Sequence, residues 1–347
     1  MGIMHRNHPL RIFGVSGLLT LVLGIWVAWV GGIEALWIYL ILVILEITFS
    51  FDNAIVNSRI LMRLSRYWQA LFLTVGIFFA VFVVRFLLPV LIVVVATKLN
   101  FIEVIGLALR APALYAAELH HAEPLINAFG GTFLVMIGLS YFVDSEKDVH
   151  WLTHVEKALA RVGNVRYIKL AVVLLATLVI SLTVDPGLRD LVLWSSIFGI
   201  VLHVGLDGIS TLFGDGNSKK KSKKPTQLVG MAAFAMFAYL QVLDASFSFD
   251  GVIGAFAITS GVLLIMAGLG AGAVWVRSLT VYLVRTGTLA KYRYLEHGAH
   301  WAILALGALM LAKLYHLELP EWATGSLGLV FIVAAVTTSV LEKRSKK

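Results

Sequence analysis

Two stretches of the chain set carboxylates and hydroxyls among residues otherwise suited to lipid: EITFSFDNAI, starting at Glu46, and DASFSFDGVI, starting at Asp244. The first carries the acids Glu46 and Asp52 with Thr48, Ser50 and Asn53. The second carries Asp244 and Asp250 with Ser246 and Ser248. Carboxylates, hydroxyls, one amide and the carbonyls of an opened helical turn form an all-oxygen donor set, which suits a hard divalent ion such as Mn²⁺, Mg²⁺ or Ca²⁺. The chain has no cysteine, which excludes thiolate metal sites, iron–sulfur clusters and cysteine nucleophiles. A carboxylate at the centre of a bilayer costs at least about 2.5–3.5 kcal/mol. Four of them are therefore expected to face a bundle interior and to be protonated, paired with arginine or bound to a cation.

The two stretches align at a constant offset, Glu46 with Asp244, Thr48 with Ser246, Ser50 with Ser248 and Asp52 with Asp250. After each comes an apolar segment with a glycine and, further on, an arginine: Gly76 and Arg85, then Gly268 and Arg277. A third apolar segment closes each copy, so the pattern is a duplicated three-span unit. Arg85 and Arg277 are the candidate counter-ions. If they only paired with the acids, the role would be structural, but four acids against two arginines leave negative charge for a cation or a proton. In an unbroken helix Glu46 and Asp52 point about 120° apart. A bend or unwinding is therefore expected around Phe49–Asp52, and likewise around Phe247–Asp250.

The elements that must position these groups follow from composition. Hydrophobic residues make up 59% of 347 and charged residues 14%, against roughly 25% charged in a soluble domain. The expected fold class is an all-α polytopic membrane protein forming a single transmembrane domain over 1–347. Apolar runs of about 20 residues predict ten spans, at 12–31, 34–58, 68–97, 127–144, 168–184, 190–213, 228–258, 261–284, 295–315 and 322–341. The basic start MHRNHPLR precedes a run too long, with too poor a cleavage site, for a signal peptide. The first motif lies on span two and the second on span seven, an odd separation. The copies then cross in opposite directions, an inverted-topology repeat of the kind that builds mid-membrane transport sites.

Within this frame 34–144 is the first repeat, 145–213 connecting helices, 214–227 a basic loop, 228–315 the second repeat, and 316–347 the last helix and basic tail. Most of the 28 Lys and Arg residues fall on one side of this arrangement, including the KKKSKK run, while Lys98, Arg110, Arg189 and Lys313 fall on the other. By the positive-inside rule both termini are cytoplasmic, in a bacterial cytoplasmic membrane. The net charge of +8 thus reads as orientation and contact with the lipid bilayer, with no role in binding nucleic acid.

Other clusters carry weaker signals. His203 and Asp207 stand four residues apart on span six, a candidate proton relay or peripheral ligand pair. Glu296 and His300 share that spacing and read as a solvated pair. Between Phe101 and Asn127 the chain is too polar to span and too apolar for water, which predicts an interfacial or re-entrant segment. Its Glu118, His120, His121 and Glu123 read as a solvated face more readily than as a cation-gathering mouth. The run AGLGAGAVW at 267–275 reads as close helix packing, since no soluble strand precedes it as a nucleotide loop would require.

LEITFSFDNAI and LDASFSFDGVI resemble the paired acidic motifs of the TerC family of integral membrane proteins, named for tellurium resistance, in particular its branch labelled as a domain of unknown function. The resemblance runs from about 34 to 315. It departs in the second motif, where Gly251 and Gly254 stand in place of the commoner serine and proline. It implies kinship with LysE-like exporters and a role in efflux of manganese or another divalent metal.

The expected function is a transporter, not an enzyme. It would export a divalent cation, Mn²⁺ favoured, by alternating access, with protons as the coupled species. Glu46, Asp52, Asp244 and Asp250 would be the metal ligands, Thr48, Ser50, Asn53, Ser246 and Ser248 would support them, and no cofactor is needed beyond the cation carried as substrate. Two rivals are an intramembrane aspartyl protease, whose two aspartates share a proton, and a non-transporting membrane partner in tellurium or metal stress resistance.

Overall fold

The computed structural model describes the backbone of residues 9–144, 147, 149–163, 165, 167–214, 228–317 and 319–345. The KKKSKK run lies outside the described residues, and so do the side chains of Phe249 and Asp250. In chain order the helices are α1 (Pro9–Phe49), α2 (Phe51–Leu61), α3 (Arg66–Leu73) and α4 (Val75–Phe78), then a π-helical stretch (Phe79–Leu87) leading into α5 (Leu88–Thr97). There follow α6 (Phe101–Arg110), α7 (Pro112–His121), α8 (Glu123–Phe142), α9 (Thr153–Val162) and α10 (Ile168–Thr183), and a 3₁₀ turn (Pro186–Leu188) that enters α11 (Arg189–Gly214). The last are α12 (Gly230–Ile258), α13 (Val262–Thr286), α14 (Thr288–Lys291), α15 (Leu295–Lys313) and α16 (Glu321–Ser345). Among the described residues the one extended pairing is an isolated bridge between Leu64 and Leu228.

Among the described residues eight helices are long and apolar enough to cross a membrane, and α10 is apolar but shorter. The chain is an all-α polytopic membrane protein. The ten-span expectation needs one correction: its first two spans are merged in α1, 41 residues long. At 1.5 Å per residue that is about 60 Å, twice the hydrocarbon thickness. Gly32 divides it, with φ 73 and ψ −169 inside the helix, a backbone state that glycine adopts without strain. The second arm then stops at Phe49 instead of running to 58.

The third predicted span is likewise not one regular helix. Pro89 lacks an N–H and its ring crowds the carbonyl four residues back, that of Arg85, so an α-helical turn cannot close there. The coil widens to π geometry over Phe79–Leu87 just before Pro89, the form such local disruption takes in helices. The 101–127 segment folds as two ten-residue helices, α6 and α7. Asn100 opens α6 with a capping box: its side chain accepts from Glu103 N–H at 2.9 Å, and the Glu103 carboxylate accepts from Asn100 N–H at 3.1 Å.

The chain divides into two compact units, Met1–Glu123 with Asn217–Gly287, and Pro124–Gly216 with Thr288–Lys347. This division cuts both three-span copies at the same place, leaving two spans of each in the first unit. There α13 packs along α1, and glycine permits the approach. A Cβ at Gly268 would sit 2.5 Å from Leu42 Cβ, and one at Gly272 would sit 2.6 Å from Glu46 Cβ. Hydroxyls lock the same seam: Ser16 Oγ meets Ser278 Oγ at 2.7 Å, and Trp275 Nε1 donates to Thr20 Oγ1 at 2.9 Å. In lipid, where apolar surface alone drives little association, small residues and buried hydrogen bonds are the usual means of helix pairing. Leu61, Leu64, Phe72, Ala233, Leu240 and Val281 form an apolar cluster beside this seam. In the second unit Ala128, Val184, Val192 and Leu314 form one core and Met136, Val173 and Ile200 another.

Candidate functional site

Both acidic motifs lie in the first unit. α1 ends at Phe49 and α2 starts at Phe51, with Ser50 between them at φ −102, ψ 16. The ladder is disturbed locally: Ser50 N–H still reaches Glu46 O at 3.0 Å, while Asn53 N–H donates to the Asp52 carboxylate at 2.9 Å. The expected bend in the first motif is therefore present. The second motif differs, since α12 runs as helix from Gly230 to Ile258, straight through Phe247–Asp250. That stretch has no counterpart of the Ser50 interruption, and an unbroken helix opens no extra carbonyls there.

The acids are not equivalent. Glu46 Oε1 is paired with Arg85 Nη2 and also accepts from Ser50 Oγ at 2.8 Å. Arg85 Nη1 turns back to Ala80 O at 2.7 Å, a carbonyl within the π-helical stretch. Asp244 Oδ2 is paired with Arg277 Nη2 at 2.7 Å. Arg277 further donates to Gln241 Oε1 at 3.2 Å and Phe72 O at 3.1 Å, with its guanidinium 4.3 Å from the centre of the Phe72 ring. A Cβ at Gly76 would lie 2.6 Å from Arg277 Nη1, so this glycine makes room for the guanidinium. Each copy thus contributes one acid–arginine pair of its own.

Among the described residues Asp52 has no such partner. It is 4% exposed, and its hydrogen bond among the described residues is the one from Asn53 N–H. On the two motif helices the buried oxygens Asn53 Oδ1 and Asn57 Oδ1 of α2 and Ser248 Oγ of α12 have no hydrogen-bond partner among the described residues. Orphaned buried acceptors are uncommon enough to need a reason.

The motifs also touch each other. Asn53 Nδ2 donates to Asp244 Oδ1 at 2.8 Å, and a Cβ at Gly251 would lie 3.6 Å from Glu46 Oε2. Asn53 aligns with Gly251 and Glu46 with Asp244, so the two contacts are reciprocal. Reciprocity of this kind is what a two-fold relation between copies produces.

Two of the expected supporting hydroxyls bond within their own helices. Thr48 Oγ1 donates to Ile44 O at 2.8 Å and Ser246 Oγ to Val242 O at 2.9 Å, each along its own helix. Among the described residues no three His, Asp or Glu side chains gather as a ready metal shell. The fourth expected acid, Asp250, is outside the described side chains.

In the second unit, His203 is buried, with Nε2 3.0 Å from Ser140 Oγ and Nδ1 without a partner among the described residues. Lys169 Nζ reaches Ser140 Oγ at 3.2 Å and Asp207 Oδ2 at 3.8 Å. The expected His203–Asp207 pair is therefore bridged by Ser140 and Lys169, from two other helices. His300 corrects the solvated-pair reading with Glu296. It is buried and stacks on Tyr141 at 3.6 Å, because its helix face turns into the unit.

Reasoning from sequence passed over Glu156, which accepts from Trp151 N–H, Leu152 N–H, Trp301 Nε1 and His297 Nδ1 at 2.9–3.2 Å. Burial pushes its carboxyl up, but these donors outweigh burial and hold it at about 2. Asn57 was readable in principle, standing one helical turn after Asn53. So was Gln241, which precedes Asp244 on the same helix.

With this geometry in view, a family model described as "Protein of unknown function (DUF475)" matches residues 51–346. The chain belongs to the DUF475 family. The match takes in Asp52, Arg85, Asp244 and Arg277 and begins just after Glu46 and Ser50. No curated protein and no solved structure matches this DUF475 member.

Proposed function

We propose that the chain is a secondary transporter, not an enzyme, which moves a divalent metal cation, Mn²⁺ favoured, through the paired acidic motifs. The observation that carries the reading is Asp52, a carboxyl buried in a membrane-spanning unit with no cationic partner among the described residues, on a motif whose two helices also carry the orphaned oxygens of Asn53, Asn57 and Ser248. Glu46 and Asp244, held by Arg85 and Arg277, stand as reserve ligands. An entering cation competes with the guanidinium groups for these carboxylates, and their release completes a hard oxygen shell. Asp250 is the fourth proposed ligand, with Ser50 and Ser248 supporting. Protons are the proposed coupled species, and His203 with Asp207 a proposed relay.

The resemblance of the motifs to those of TerC proteins supports the metal assignment, and the inverted arrangement supports export by alternating access. The distribution of basic residues supports both termini on the cytoplasmic side of a bacterial membrane. The test is Mn²⁺ flux into liposomes containing the purified protein. Asp52→Asn is expected to abolish flux while the protein stays folded by circular dichroism. Undiminished flux in this variant overturns the reading.

A further inference from the structure

Away from the acidic motifs, the second unit contains a cleft of about 220 Å³ lined by Lys291, Tyr292, Ser339, Val340, Lys343 and Arg344. Lys291 closes α14, and Lys343 and Arg344 come from the last turn of α16. Three cations thus converge from two elements. Lys291 Nζ lies 5.5 Å from the Tyr292 ring centre, and none of the three cations forms an ion pair among the described residues. The nearby acid on α16, Glu342, pairs with Arg293 at 2.9 Å, and the charges of these two cancel. The C-terminal end of α16 supplies only about half a negative charge, against three full positive ones, so the cleft keeps a surplus of positive charge.

We propose that this cleft binds the phosphate of an anionic phospholipid. Phosphate is the shared chemistry of a lipid headgroup and the free ion, and the surface of α16 selects the lipid. Val330, Val333 and Leu341 are 61%, 54% and 57% exposed. With Thr337 they recur every three or four residues, an apolar stripe that leads along the helix to Arg344 at the cleft. An acyl chain laid on this stripe brings its headgroup to the three cations, whereas free phosphate leaves the stripe uncovered.

The test uses the purified full-length protein in neutral detergent, with thermal unfolding read against added phosphatidylglycerol, phosphatidylcholine or inorganic phosphate. Phosphatidylglycerol is expected to raise the midpoint saturably, and the other two to leave it unchanged. A basic residue at an anionic lipid surface contributes about 1 kcal/mol, or roughly fivefold in affinity. The triple variant K291Q/K343Q/R344Q is therefore expected to bind phosphatidylglycerol on the order of 100-fold more weakly, and K291Q alone about fivefold. The control R63Q/R66Q, at exposed positions outside the cleft, is expected to bind as the parent does. Three results overturn the proposal: parental affinity in K291Q and the triple variant, an equal loss in R63Q/R66Q, or stabilisation by inorganic phosphate without stabilisation by the lipid.

Discussion

Replacing Arg277 with glutamine tests the central arrangement most directly. The Arg277–Asp244 pair is nearly shut off from solvent, with side chains 2% and 8% exposed. Removing one partner of a buried pair strands a charge and costs about 3–5 kcal/mol. Asp244 keeps the hydrogen bond from Asn53 Nδ2 at 2.8 Å, so the lower end of that range applies, about 3 kcal/mol, or on the order of 150-fold in the unfolding equilibrium. The double variant R277Q/D244N removes both charges and should recover much of this loss, giving a coupling energy of about 2 kcal/mol or more across the cycle. Reversible unfolding in mixed micelles measures all four corners. Neutral hydrogen bonds between membrane helices average about 0.6 kcal/mol by the same kind of cycle. A coupling at or below that value would refute the claim that Arg277 neutralises Asp244, and with it the account of Asp244 as a ligand held in reserve.

Three further outcomes follow from packing and titration. Gly272→Ala puts a Cβ 2.6 Å from Glu46 Cβ and 3.0 Å from Val43 O, so it should lower stability by about 1–3 kcal/mol. Gly205→Ala, with nothing within 4 Å of its Cβ, should be neutral or slightly stabilising in the same thermal assay. Glu156 has a folded pKa of about 2 against an ordinary 4.5. It therefore contributes stability above pH 4.5 that is lost as pH falls towards 2, on the order of 3 kcal/mol in all. Glu156→Gln should flatten that acid limb of the stability curve, and an unchanged limb would show that the carboxylate is not held as described.

Much of the candidate arrangement is legible in the sequence. A membrane penalises every buried acid, so carboxylates in apolar sequence announce themselves, and a repeated pattern such as EITFSFD against DASFSFD is visible by inspection. The following arginines were legible for the same reason. What the letters did not carry was pairing. Glu46 pairs with Arg85 and Asp244 with Arg277, and Asp52 has no ion pair among the described residues, a choice made by helix azimuth and by close approaches at Gly76 and Gly272. Nor did composition distinguish the motif interrupted at Ser50 from the one that stays helical, because both contain the same Phe-Ser-Phe-Asp. Nor does spacing tell that the hydroxyls of Thr48 and Ser246 donate back along their own helices. Glu156 escaped notice because it sits in a short helix of ordinary amphipathic composition, and its donors arrive from residues as distant as Trp301.

The wide coil before Pro89 has a consequence for how this chain tolerates change in length. Each residue of an α-helix advances the azimuth by about 100°, whereas a π-helical stretch accommodates an extra residue without shifting what lies beyond it. Arg85 lies within this stretch, so deleting one residue from 81–84 and letting the coil tighten would offset only part of the azimuth lost at its guanidinium, and would remove the slack that lets it also fold back on Ala80. Deleting one residue from the regular α13 between Gly268 and Arg277 has no such buffer, and would rotate the second guanidinium away from its acid by more than a quarter turn. The two halves of the molecule, alike in their letters, are therefore unequal in mechanical compliance.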